Sequence, residues 1–319
     1  MAKYKMILDL DTGIDDALAI AYALATPEAD LIGIIGSYGN VVTERGVQNS
    51  LDLLELLGHP EVPVYLGAQH SSTTDHFDVM PVSAQIHGVN GVGEVELKTA
   101  DRQLEAGSGV DFLVAAAHKY QQDLILVPTG PMTNLAAALD QDPAIADLIG
   151  NVTFMGGALT VPGNVTPVTE ANINQDPEAA DRVLRSSLPL TMVGLDVTTR
   201  TLLTTKETQS WRDLHTTAGE KYADIVDFYI DAYKVTSPHL GGCALHDPLA
   251  VAVAVEQSLV STIYLNMKVD TEAPFAGRTI GDETRINDPA TQTQVAVNVD
   301  KDRFVAEFMT KLTELFKNN

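Results

Sequence analysis

Four aspartates, Asp9, Asp11, Asp15 and Asp16, fall within eight residues of the string KMILDLDTGIDDALAIAYAL near the start of the chain. Carboxylates packed that closely repel one another unless a proton or a metal ion sits among them. Asp9 and Asp11 are two apart on an extended run, so they leave the same face of it. Thr12-Gly13 has turn chemistry, and Asp15-Asp16 open a segment with helical apolar spacing. Oxygen ligands therefore converge from both sides of one loop. Helix-dipole and capping roles would account for one or two acids, not four. With no Cys or His interleaved, the set suits calcium or magnesium rather than zinc.

Other polar clusters follow apolar runs. Asn40 ends Ser37-Tyr38-Gly39-Asn40; Thr129 to Asn134 follow LILVP; Asn164, Glu170, Asn172 and Asp176 lie in GNVTPVTEANINQDPEAA; His246-Asp247 precede a very apolar stretch. Thr133 and Asp176 each precede a helical run and are expected to cap it. Asn40 has the alternative of a turn residue, and His246-Asp247 that of a satisfied helix start. Glu170 between Asn164 and Asn172 offers an acid and two amides to hydroxyl groups. A ligand rich in hydroxyls beside a hard cation, such as a sugar with vicinal hydroxyls, fits this inventory.

The elements that must position these groups alternate. LIGIIG, PVYLG, LILVPTG, NVTFMGG and PLTMVGLDV are separated by helix-period segments, which is repeated β-α order. It predicts an α/β fold with an open, doubly wound, mostly parallel sheet flanked by helices, and loops gathered at the carboxyl edge where ligands bind. Two stretches break the rhythm: Gln69 to Glu94, with His70, His76 and His87, and Thr204 to Gly242, rich in Tyr and Phe. Both are expected to form lids or pocket walls. No linker or internal repeat divides residues 1–319, so a single domain is expected.

A net charge of −23, from 43 acidic and 20 basic residues, argues against nucleic acid or an anionic membrane surface as partner. The start MAKYKMILDL lacks a signal-peptide apolar run, no segment matches a membrane span, and the single cysteine, Cys243, allows no intrachain disulfide. A cytoplasmic location and a buried core role for Cys243 are the expectations.

LDLDTGIDDALA, VPTGPMTNLAAAL, the MGG to GNVTPVTEANINQDPEAA block and LHDPLA, supported by Gly39-Asn40, PVYLGA and IHGVNGVG, occur in an order that resembles the inosine-uridine-preferring nucleoside hydrolase family. The resemblance implies the Rossmann-like fold of that family and hydrolysis of the N-glycosidic bond of ribonucleosides to free base and ribose. It implies Ca²⁺ as cofactor, held by Asp11, Asp16, the Thr129 carbonyl and Asp247. Asp15 and Asn172 would hold the ribose 2′- and 3′-hydroxyls, Asn164 and Glu170 would reach its 5′ end, and Asn40 would line the metal side. Asp11 would also be the general base, and the family suggests a homodimer or homotetramer. His246, with His87 as second candidate, is the titratable group near neutral pH that could protonate the leaving base. Tyr229 and Tyr233 are candidates to stack on that base. The chain departs from the family in carrying Thr12 where Pro is frequent, and Ala171 where an aromatic is usual.

Two rivals make different demands. A haloacid-dehalogenase-like Mg²⁺ phosphatase would use the Asp9-Leu10-Asp11 pair and need a second acidic loop, for which GDETRIND at 281–288 is a loose match. A non-catalytic, calcium-stabilised nucleoside-binding protein would keep the ribose ligands but need neither base nor acid.

Overall fold

The computed structural model describes residues 3–286 and 288–319. Eleven strands follow in order: β1 Tyr4–Leu10, β2 Ala29–Gly36, β3 Val64–Leu66, β4 Leu124–Pro128, β5 Asn151–Met155, β6 Leu190–Val193, β7 Leu202–Leu203, β8 Cys243–Ala244, β9 Val260–Asp270, β10 Arg278–Gly281 and β11 Gln292–Val299. Thirteen helices lie between and after them: α1 Ile14–Leu24, α2 Thr43–Leu56, α3 Pro81–His87, α4 Gly109–Tyr120, α5 Thr133–Gln141, α6 Ile145–Leu148, α7 Ala171–Gln175, α8 Pro177–Leu184, α9 Leu195–Thr198, α10 Thr205–Arg212, α11 Thr217–Thr236, α12 His246–Val255 and α13 Lys301–Lys317.

Nine strands form one sheet in the order β10-β9-β11-β6-β5-β4-β1-β2-β3, and β7 pairs with β8 apart from it. From β3 across to β11 all neighbours are parallel; at the far edge β9 runs antiparallel to both of its neighbours, β11 and β10. The doubly wound architecture read from the sequence is therefore the one observed. Strands buried on both faces need apolar residues at every position, which is why β1 reads MIL without alternation. Its side chains still divide by a period of two: Met6, Leu8 and Leu10 enter one core, Ile7 the other.

The first core lies under α1, α11, α12 and α13, where Tyr22 stacks on Phe308 with centroids 5.8 Å apart. The second lies under α4, α5 and α8. Helix α12 is buried from His246 through Ala254, which accounts for a sequence apolar on all sides. Cys243 is a buried free thiol in the first core. Among the described residues no helix is long and apolar enough to cross a membrane.

The parallel strands reverse their order of addition between β1 and β4, since β2 and β3 continue to one side and β5 and β6 to the other. That is the switch point of an open α/β sheet, where the loops leaving two neighbouring strands diverge and open a crevice at their carboxyl ends. Asp11 follows β1 and Thr129 follows β4, so the crevice opens between them.

Candidate active site

The loop from β1 to α1 is tied down by its own acids. Asp16 accepts from the Gly13 amide at 2.8 Å and from the Thr129 hydroxyl at 2.7 Å, which closes the first turn of α1 and joins it to the β4 loop. Asp11 is held from the β2 loop: the Asn40 backbone amide donates to its Oδ2 at 2.7 Å and the Asn40 side chain to its Oδ1 at 3.2 Å. The same Asn40 amide reaches Asp16 Oδ2 at 3.3 Å, so one side chain bridges two carboxylates. Gly39 must be glycine here, because its φ is +152° and a Cβ would stand 2.0 Å from Asp11 Oδ2. Asp9 lies behind the cluster, accepting from Asn134 at 2.8 Å, and Asn134 in turn accepts from the Ala68 amide.

Asp247 arrives from the first turn of α12. One oxygen each from Asp15, Asp16 and Asp247 lie within 4.8 Å of one another, all three residues being buried. Burial pushes the Asp15 carboxyl up to about 7, with the Asp16 charge adding to it. Asp11 and Asp247 are held well above the usual carboxylate range, first by burial and then by the neighbouring acids. No Lys or Arg pairs with these acids among the described residues, and Asp15 Oδ1 has no hydrogen-bond partner. An oxygen-only donor set with a buried orphan oxygen and no Lys or Arg partner among the described residues fits a hard metal ion.

Above the acids is a cleft of about 620 Å³ that Asp15, Asn40, Thr129, Glu170, Asn172 and Asp247 floor. Glu170 caps α7, accepting from the Asn172, Ile173 and Gly157 amides. Asn164 accepts from the Ala171 amide at 3.0 Å, and the Asn172 side chain donates to the Thr129 carbonyl at 2.7 Å. These bonds fix the three polar groups on one wall. Ala171 lines the cleft beside them, leaving open the volume an aromatic would fill.

Both irregular stretches read as pocket walls supply side chains to the cleft. Helix α3 brings Ser83, Ile86 and His87; α11 brings Tyr229 and Tyr233. Of the three histidines in the first stretch only His87 arrives there, since His76 is exposed and bonded to Asp75.

The histidines correct one expectation. Burial, with His246 close by adding to it, lowers His87 to about 3, and burial lowers His246 to about 4, so each imidazole is neutral at pH 7. His87 Nδ1 stands 3.9 Å from Asp15 Oδ1, which would be an ion pair only if that nitrogen carried a proton. It accepts instead from the Ile14 amide at 3.1 Å, so the proton belongs on Nε2. Any proton these rings supply to a substrate comes from a neutral N–H.

Thr133 is a second correction. It is the first residue of α5, after Met132; its hydroxyl donates to Asp176 at 2.8 Å and accepts from no amide of the helix. Asp176 does cap α8, accepting from the Ala179 amide at 3.0 Å. Thr12, where the family has Pro, bonds Ser50 through its hydroxyl at 2.8 Å. The acidic loop required of a phosphatase is not at the site: Asp282 pairs with Arg185 and Arg285 at the antiparallel edge, and Asn287 of that segment lies outside the described residues.

Thr198, at the end of α9, was not singled out by residue type; its hydroxyl is 2.7 Å from His246 Nδ1. It sits in LDVTT just past β6, so the same rule of reading polar residues after a strand would have found it.

A carboxylate-rich pocket able to hold a metal ion, set at the switch point of a mostly parallel sheet and open to a cleft of amides, acids and tyrosines, defines the class of α/β protein. The chain belongs to the inosine-uridine preferring nucleoside hydrolase family, whose model matches residues 6–306. It is similar to the uridine nucleosidase 1 of Arabidopsis thaliana, 34% identical over 88% of this chain and 82% of that protein. It is also similar to the pyrimidine-specific ribonucleoside hydrolase RihA of Enterobacter sp. (strain 638), 31% identical over 97% of each. Among solved structures, a purine-preferring ribonucleoside hydrolase from Gardnerella vaginalis superposes with a TM-score of 0.98 at 60% identity, over 99% of this chain and 100% of that one.

Proposed function

We propose that this chain hydrolyses the N-glycosidic bond of ribonucleosides with Ca²⁺ in the aspartate pocket, and takes purine nucleosides ahead of pyrimidine ones. The observation that carries the reading is the set of buried carboxylates with no cationic partner, facing a cleft whose other polar groups are amides and acids. Asp11, Asp16, Asp247 and the Thr129 carbonyl would hold the ion, with Asp15 beside them. A bound cation of this kind lowers the pKa of a water and orients sugar hydroxyls.

The protein's own groups do the rest. Asp15 and Asn172 take the ribose 2′- and 3′-hydroxyls, while Asn164 and Glu170 take the 5′ end. Asp11 removes the proton of the attacking water as the bond to the base breaks through an oxocarbenium-like transition state, and the surrounding acids stabilise its positive charge. His246 or His87 faces the departing base. Among the described residues no Lys or Arg lines the cleft, so no cationic side chain is there to pair with a 5′-phosphate. The purine preference rests on the 60% identity to the purine-preferring relative and on the tyrosine walls available for stacking.

The test is to incubate the protein with inosine, uridine and p-nitrophenyl phosphate, with and without chelator, following free base, ribose and phosphate. Base and ribose release that stops on chelation and returns with Ca²⁺, larger in kcat/KM for inosine than for uridine, is expected. Phosphate release, or tight nucleoside binding without turnover, would sink the proposal.

A further inference from the structure

A chain of hydrogen-bonding side chains leaves the carboxylate cluster and ends inside the protein. The Tyr229 hydroxyl donates to Asp15 Oδ2 at 3.2 Å and lies 3.5 Å from the Tyr233 hydroxyl. Tyr233 stands 2.7 Å from His246 Nε2, and His246 Nδ1 stands 2.7 Å from Thr198 Oγ1. Thr198 is wholly buried.

Counting protons fixes the direction of each link. The Tyr229 hydroxyl gives its one proton to Asp15 Oδ2, so toward Tyr233 it can only accept. Tyr233 then has no proton left for the imidazole and accepts from His246 Nε2–H. A neutral imidazole protonated at Nε2 accepts at Nδ1, so Thr198 donates. The far end of the chain gives the same answer independently. His246 Nδ1 is the only hydrogen-bond partner of the Thr198 hydroxyl among the described residues. Were Nδ1 the donor, the hydroxyl proton would be buried with no acceptor, which is costly.

We propose that Thr198 is a positioning residue: its hydroxyl holds His246 in the tautomer with the proton on Nε2, so that every donor along the chain points toward the cleft. Neither the aspartate cluster nor the cleft wall includes Thr198; it acts through the ring. The consequence lies at Tyr233. Its contact with Tyr229 is the longest link, so its proton is the least committed, and Tyr233 lines the cleft. A departing base therefore meets a hydroxyl donor that is itself supported by the imidazole N–H. Reversed at Thr198, the imidazole would accept at Nε2, Tyr233 would turn its proton to that nitrogen and away from the cleft, and the Tyr229 and Tyr233 oxygens would face each other with no proton between them. The inference rests on the hydrolase reading, and its test includes a measurement that does not.

Thr198→Val keeps the shape and removes the donor, while Thr198→Ser keeps the donor. With inosine, Thr198→Val is expected to lose roughly 10²-fold in kcat with KM within about twofold, and Thr198→Ser to recover to within about threefold of the parent. With p-nitrophenyl β-D-ribofuranoside, whose leaving group departs as a stable anion, the Thr198→Val loss is expected to be at least about tenfold smaller than with inosine. Equal losses on both substrates, or no loss on inosine, would overturn the assignment. Long-range ¹H–¹⁵N spectra of the histidine side chains in the intact protein read the tautomer without any turnover. A proton on Nδ1 of His246 overturns the proposal even in an active enzyme. Failure to hydrolyse either riboside defeats the hydrolase reading alone, and the spectrum of the parent and Thr198→Val proteins still decides the role of Thr198.

Discussion

Asp247 and Asp282 are equally sealed from solvent, each 2% exposed, and the protein treats them in opposite ways. Asp282 accepts from Arg185 and Arg285 at 2.7 Å each and from the Thr284 hydroxyl at 2.7 Å. Burial pushes its carboxyl up, but the Arg285 and Thr284 bonds and the Arg185 charge outweigh burial and hold it well below the ordinary range. Asp247 has no Lys or Arg partner among the described residues, and burial and the charges of Asp15, Asp16, Asp11 and Glu170 all push its carboxyl up. The antiparallel edge of the sheet thus completes its charge balance within the fold, whereas the switch point gathers buried acids with no Lys or Arg partner among the described residues, a cluster able to hold a metal ion. A buried charge that nothing in the chain compensates marks a place where the protein spends stability on function.

Several substitutions break or sharpen that contrast. Asp11→Asn removes the base proposed above and one buried acid without a Lys or Arg partner among the described residues: inosine turnover is expected to fall on the order of 10³-fold or more, with the cation-free protein no less stable in urea than the parent. A large loss of stability with activity retained would make Asp11 a structural acid like Asp282. Next in size, saturating Ca²⁺ is expected to raise the stability of the chelated protein, by about 2.7 kcal/mol at a hundredfold excess over Kd. Asp11→Asn should reduce that gain and Arg285→Ala should not.

Arg285→Ala is expected to cost about 1–3 kcal/mol by urea unfolding while leaving kcat within about twofold, because it unpairs part of a buried carboxylate far from the cleft. The smallest effect is the pH dependence, and its sign differs between the two regions. Asp282 has a lowered folded pKa, so its contribution is complete above the ordinary carboxylate range and is lost as pH falls below it; Arg285→Ala should flatten that acid limb. Asp9 and Asp15 have folded values raised to about 7, so in chelated protein they bind more protons folded than unfolded between about 4 and 7. Their contribution to stability therefore falls as pH rises through that window, and added Ca²⁺ should remove the fall.

Reading strand ends found most of the cleft floor because polar residues after a buried apolar run have few structural reasons to be there. The same reasoning misplaced Thr133, since a hydroxyl at a helix start looks like a cap until a carboxylate 43 positions away claims it. Residue type carries the solution pKa of a histidine and says nothing of its burial, so the lowered values of His87 and His246 are not legible in the sequence. Reading strand ends passed over Thr198 because nothing local separates a threonine that orients a buried ring from one that fills space.

The sequence alone determined the sheet, through unbroken apolar runs that suit only strands buried on both faces, and it determined that many acids would meet at one edge. Tertiary structure decided which acids became neighbours and which found arginines. Asp247 joins Asp15 and Asp16 from 231 positions away in sequence, counted from Asp16, only because α12 packs beside α1 at the switch point. Charge is written in the residue, but its energy depends on what surrounds it at a few ångströms, and that is a property of the packed fold.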